Sequence, residues 1–170
     1  ARTAAGINVS PSAALRCPAF AAGHRLRCET LGTLSLKLYR RAGGASEPAT
    51  DHPLYRLLHD RPNPWTGAVD FVMQMESDTI FHGRAFAFAN RVNGNVVELI
   101  RLDPSRVTVD YDEVTLEPHY KLALKDGGQR PYAWQDILHV TSPDGQSATR
   151  NAAEAIGLSI ALERHAAKIL

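Results

Sequence analysis

Apolar positions along this chain recur with two periods, and the change falls near Gly83. Before it the spacing is mostly helical. Leu54, Leu57 and Leu58 fall at i, i+3 and i+4, one stripe of a helix. Asp51 is the expected cap, with Pro53 in the first turn and Pro62 as the stop. Asn63-Pro64 offers a second cap, and Trp65, Phe71, Val72, Met75 and Ile80 predict a longer helix ending at Gly83. An earlier helix is predicted from Pro18 to about Leu31, with Gly32 as its C-terminal stop. Between these helices Leu34, Leu36 and Leu38 alternate with Ser35, Lys37 and Tyr39, the pattern of a half-buried strand. The stretch AGGASEPATD that follows reads as a linker.

After Gly83 the period becomes two. Phe86 and Phe88 alternate with Ala85, Ala87 and Ala89. Asn93-Gly94 is a hairpin turn, and VVELIRL returns as the partner strand. Asp103-Pro104-Ser105-Arg106 is a turn, VTVDY a strand, and Tyr120, Leu122 and Leu124 mark another. Asp126-Gly127-Gly128 turns again, and a helical turn over Ala133 to Asp136 precedes ILHV. Strands at this spacing predict an antiparallel sheet or meander. From about Ala148 to Leu170 the chain reads as helix, with apolar residues on more than one face. Leu170 has no stop signal beside it, so this helix is expected to be a truncated piece of a longer one. The expected fold is α+β: a body over residues 1–147, whose first twelve residues form a loose polar arm, and a helical segment over residues 148–170.

Composition narrows the function classes. The chain has 170 residues, 44% of them hydrophobic and 22% charged, enough for a sizeable core without disulfide staples. Its net charge of +1 gives no whole-chain case for nucleic-acid binding. No apolar run reaches the ~20 residues that span a bilayer, and no membrane partner is expected. Cys17 and Cys28 are too few for a disulfide scaffold. The basic residues form small groups, Arg25 with Arg27, Arg40 with Arg41, and Arg164 with Lys168, each with acids nearby.

Candidate chemistry is sparse. His52 and His59 are seven residues apart, which on a helix separates them by about 10 Å, too far to share a metal ion. His24 and Cys28 stand at i and i+4 and could face one metal, but zinc needs a third or fourth ligand. Cys17 precedes Pro18 and is expected off that helix. There is no GxSxG elbow, no phosphate loop and no GxGxxG after a strand. Hence no catalytic residue, no cofactor and no metal site is assigned. A small hydrolase using His52 or His59 would require both histidines in one pocket with a carboxylate partner.

Six stretches together resemble the portal proteins of tailed bacteriophages, in that family's order and spacing. They are ETLGTLSLKLYRR (Glu29 to Arg41), DHPLYRLLHDRPNPW (Asp51 to Trp65), HGRAFAF (His82 to Phe88), ELIRLDPSRVTV (Glu98 to Val109), DILHV (Asp136 to Val140) and EAIGLSIALERHAAKIL (Glu154 to Leu170). The resemblance implies a non-enzymatic subunit of a ring of about twelve at a capsid vertex, built from head-to-tail contacts. It implies double-stranded DNA passing through the ring, with terminase, capsid and head–tail connector proteins as further partners. It implies residence in the virion, and in the host bacterial cytoplasm during assembly. The body would be the outer, wing-like region and the final helix the start of a stem. Another phage head–tail adaptor is the alternative. The pattern departs at Arg84, where the family often has Asn, and over Gly145 to Ala155, which lacks the family's usual lead into the last helix. No DNA-facing residues are assigned.

Overall fold

A computed structural model describes residues 3–169. The chain runs α1 (Pro11–Ala14), α2 (Pro18–Thr33), β1 (Tyr39–Ala42), β2 (Ala45–Pro48), α3 (Pro53–His59), α4 (Ala68–His82), β3 (Arg84–Val92) and β4 (Asn95–Leu102). It continues through β5 (Val107–Tyr111), β6 (Pro118–Ala123), β7 (Gln129–Tyr132), β8 (Ile137–Thr141), α5 (Ala148–Asn151) and α6 (Ala153–Ile169). The α+β expectation holds, with every strand pair antiparallel.

The strands form three sheets among the described residues. These are the pair β1-β2, the sheet β4-β3-β8, and the meander β5-β6-β7. β8 returns past the whole meander to pair with β3, with Phe86 opposite His139 and Ala87 opposite Leu138.

The alternation along β3 sorts the layers. Ala85, Ala87 and Ala89 meet Phe71 and Met75 of α4, together with Leu99. Their small side chains let the helix lie close to the sheet. Phe86 faces the other way and is fully buried with Leu102, Val107, Tyr120 and Ile137. The central sheet is thus apolar on both faces, covered by α4 on one and the meander on the other. Burying a side chain of this size contributes about 2 kcal/mol or more.

A third core lies at the chain's two ends. Val9, Ala14 and Cys17 pack with Ala153, Ile156 and Ile160 of α6. The expected loose arm is therefore docked from Thr3 onward. Thr3 is buried, and the Ala4 N–H donates to the Glu154 carboxylate at 3.1 and 3.2 Å. Residues 1 and 2 lie outside the described residues.

Local departures from the sequence pattern have local causes. The strand expected from Leu34 begins only at Tyr39, leaving Leu34 58% and Leu36 45% exposed. The expected linker contains β2, because Gly43 and Gly44 at positive φ close a tight hairpin. α3 is capped by His52, whose Nδ1 accepts from the Leu54 N–H at 3.1 Å. Asp51 instead accepts from Arg40 at 2.9 Å. The long helix starts at Ala68, not beside Asn63. Asn63 is buried, and its amide donates to the Leu99 carbonyl at 2.9 Å while its carbonyl accepts from the Trp65 N–H at 3.2 Å. α2 continues past Gly32 to Thr33, and the last helix is broken at Ala152. Gly83 does stop α4, at φ 75°, a conformation that favours glycine.

Candidate functional site

The residues with potential for chemistry are placed by their helices, and the structure separates most of them. His52 is spent on its helix cap. His59, at the other end of α3, bonds through Nδ1 to Asp60 at 2.7 Å and stacks on Tyr55 at 5.2 Å between centroids. The groove beside α3 is lined by His52 and Asp51 but not by His59. The arrangement that a two-histidine hydrolase needs is thus not formed.

His24 and Cys28 do meet on α2, with the thiol sulfur 3.7 Å from the His24 Nε2. That nitrogen also bonds to Ser77 Oγ on α4 at 2.9 Å. Burial holds the imidazole below its ordinary pKa despite the nearby Glu76 carboxylate. Burial also pushes the thiol up, reinforced by Glu76. A thiol shifted that way is a poor nucleophile at neutral pH. No group of three potential metal ligands comes together among the described residues. These groups tie α2 to α4, alongside Phe81, whose ring lies 4.9 Å from His24 and 6.2 Å from Phe20. Cys17 precedes Pro18 as expected, and packs in the core between the arm and α6.

Arginine partners follow the acids nearby only in part. Arg25 pairs with Glu29 at 2.7 Å, Arg27 with Glu76 at 2.5 Å and Arg40 with Asp51 at 2.9 Å. Arg41, Arg164 and Lys168 are exposed and form no ion pair among the described residues.

The sequence pattern missed two polar groups that matter. Asp78 on α4 is 4% exposed and grips Arg101 of β4 through two bonds of 2.6 Å. Burial raises its pKa against the lowering effect of that arginine. His139 of β8 stacks on Phe86 at 4.4 Å and meets Tyr120 of β6, Nδ1 to hydroxyl, at 3.1 Å. It bridges the two three-stranded sheets, and burial with the Arg84 charge lowers its pKa. Both sit on faces that a binary apolar pattern assigns to the core. Only the register, which the sequence leaves open, shows their partners.

The exposed apolar residues are the other feature with functional bearing. On α6, Leu158, Leu162 and Ile169 are 55%, 59% and 72% exposed. At 100° per residue they lie on one side, opposite the buried Ile156 and Ile160. This helix therefore has two apolar faces, of which the fold covers one.

What these features define is a layered α+β module with exposed apolar residues on α6, in which His52 and His59 do not share the groove beside α3. The family model for phage portal proteins matches residues 18–170, and the chain belongs to the phage portal protein family. The probable portal protein of Streptomyces phage phiC31 is 31% identical over 97% of this chain and 39% of its own length. Protein BeeE of Escherichia coli strain K12 is 28% identical over 62% of this chain and 67% of its own. The chain thus spans about two fifths of the phage relative. Among solved structures, a chain in the neck of an empty gene transfer agent particle superposes with TM-score 0.75 at 19% identity, covering 94% of this chain and 46% of that one. An HK97-family phage portal protein from Corynebacterium diphtheriae gives 0.71 at 14% identity, covering 96% and 50%. At these identities the structural likeness speaks for the fold.

Proposed function

We propose that this chain is the outer, wing-side part of a phage portal subunit. The subunit assembles head to tail into a closed ring of about twelve. The ring stands at one vertex of a capsid, in the virion, after assembly in the host bacterial cytoplasm. It conducts double-stranded DNA inward during packaging and outward on ejection. It also serves as the platform for terminase, capsid and head–tail connector proteins. The role is mechanical and needs no catalytic residue or cofactor. The observation that carries this reading is the family match over residues 18–170. The neck structures of the gene transfer agent, one computed with C12 symmetry, are consistent with it.

Within the chain, residues 1–147 act as the wing-like body and residues 148–170 as the first part of a stem. The uncovered side of α6 supports that division, since a helix leading away from a body needs partners beyond its own fold.

Electron microscopy of the protein expressed at the length of its phage relative tests the reading. Closed rings with a central channel are expected. Monomers or dimers at micromolar concentration would overturn it.

A further inference from the structure

Two surfaces at separate places in the fold expose apolar residues beside charges of opposite sign. The first is a groove of about 950 Å³ between α3 and the start of β4. Its apolar lining comes from Pro53, Leu57, Pro64, Val96 and Val97. Val97 is the extra residue of a bulge: Val96 and Glu98 pair with Arg91 and Asn90, and Val97 faces no residue of β3. Bulges at sheet edges re-aim side chains and end pairing. Arg56 and Arg61 line the same groove, and neither guanidinium has a partner among the described residues. The groove's acids are already engaged. Asp51 accepts from Arg40, and Glu98 accepts from the Asn90 amide at 2.8 Å. Its free charge is therefore positive.

The second surface is the turn between β5 and β6. Val114 is 90% and Leu116 71% exposed, at the tip of a hairpin where polar residues are usual. The tip is rigidly built. Asp112 Oδ1 accepts from the N–H groups of Val114 at 2.9 Å and Thr115 at 2.7 Å. The Leu116 N–H bonds to the Asp112 carbonyl, and the Asp112 N–H to the Glu117 carbonyl. Leu116 is held at φ 59°, a strained conformation for a leucine. Asp110 is neutralised by Lys121 at 2.7 Å, while the carboxylates of Glu113 and Glu117 have no partner among the described residues. The tip is thus a preformed apolar knob with two free negative charges. No hydrogen bond or ion pair among the described residues joins it to α3 or β4 of its own chain.

We propose that the β5–β6 tip of one copy seats in the α3–β4 groove of the next. Val114 and Leu116 enter the apolar trough, and Glu113 and Glu117 meet Arg56 and Arg61. The occupant is a second copy because one chain carries both halves, with opposite charges that have no partner among the described residues. Two different patches meeting head to tail is the contact that closes a ring, so this inference rests on the ring reading above. Exposed apolar groups flanked by complementary charge give both affinity and register.

A charge-reversal pair tests it on the whole chain. Glu113→Lys with Glu117→Lys reverses the tip, and Arg56→Glu with Arg61→Glu reverses the groove. Each variant alone is expected to lose self-association by about tenfold or more, read by sedimentation or native mass spectrometry, with unchanged circular dichroism. Mixed one to one, reversed tips meet reversed grooves and native tips meet native grooves. Association then recovers, with the two variants alternating. As a second measurement, Val114→Cys with Val97→Cys is expected to give intermolecular disulfides at high protein concentration. Unchanged association in both reversals, no recovery on mixing, or no intermolecular disulfide would each overturn the proposal. Rings that form without this cross-link would remove the contact and leave the ring reading standing. Absence of rings at full length would remove the ring reading itself.

Discussion

Thr3 fills the space beside Gly157. A Cβ built on that glycine would lie 2.6 Å from the threonine Oγ1, 2.7 Å from Cγ2 and 2.9 Å from Cβ. The whole side chain of Thr3 stands in the way, so the arm cannot yield by rotating one bond. Gly157→Ala gains roughly 1 kcal/mol of helix propensity and is expected to lose more by displacing the arm, for a net destabilisation of about 1–2 kcal/mol. Chemical denaturation measures the loss. Faster proteolysis near Thr3 would show that the arm has been released, and Thr3→Gly in the same chain should restore most of the stability.

Arg101 and Asp78 should respond unequally to truncation. The Asp78 carboxylate is buried, while the arginine side chain is 36% exposed. Arg101→Met strands a buried negative charge and is expected to cost about 2–4 kcal/mol at pH 7. At pH 5 the loss should shrink, because a proton can neutralise a carboxyl whose pKa burial already raises. Asp78→Asn should show no such recovery. Urea midpoints at both pH values distinguish these outcomes.

His139 adds an acid-sensitive joint between the two three-stranded sheets. Its folded pKa lies below the ordinary 6.5, so the folded state binds fewer protons than the unfolded one below that value. Its contribution is complete above about pH 6.5 and is lost as pH falls through the depressed folded pKa. Neighbouring Arg84 opposes protonation as well. His139→Phe keeps the stacking on Phe86 and removes the titration. It should narrow the stability gap between pH 7 and pH 5, and an unaltered gap would assign the acid sensitivity elsewhere.

Gly83 should tolerate no side chain. Its φ of 75° and a built Cβ only 2.8 Å from the Gln146 carbonyl carbon and 2.9 Å from the Ser147 nitrogen combine two penalties. Those neighbours are backbone atoms and cannot rotate away. Gly83→Ala is expected to cost about 3 kcal/mol, measured as a shift in the thermal midpoint. Gly32→Ala should cost less, since its closest obstacle is the flexible Met73 side chain.

Much of the helix and strand content was legible from spacing because α3 and β3 have clean periods, Leu54, Leu57 and Leu58 in one and Phe86 and Phe88 between alanines in the other. The Asn93-Gly94 turn and the Gly83 stop depend on local backbone preferences, and both were legible for that reason. Asp51 and Asn63 were misread as helix caps because each is held by a tertiary bond instead, Asp51 to Arg40 and Asn63 to Leu99. The division into separate sheets was hidden too. Pairing β8 with β3 is a long-range choice that no local pattern encodes. The separation of His52 from His59 was legible from their spacing alone. The partners of Asp78 and His139 were not, since a buried polar group is read correctly only with its register known.

The docking of Thr3 and Val9 on α6 also fixes an order of events at the ribosome. α4 and the β3–β4 hairpin can pair as soon as they emerge, since their contacts are close in sequence. Val9 must wait for Ile156 and Ile160, which are translated only after all the strands from β3 to β8. The segment around Val9 therefore leaves the exit tunnel before the β3–β4 hairpin and is buried after it. Its apolar residues stay exposed to chaperones for longer than those of the β3–β4 hairpin, until α6 has emerged to cover them.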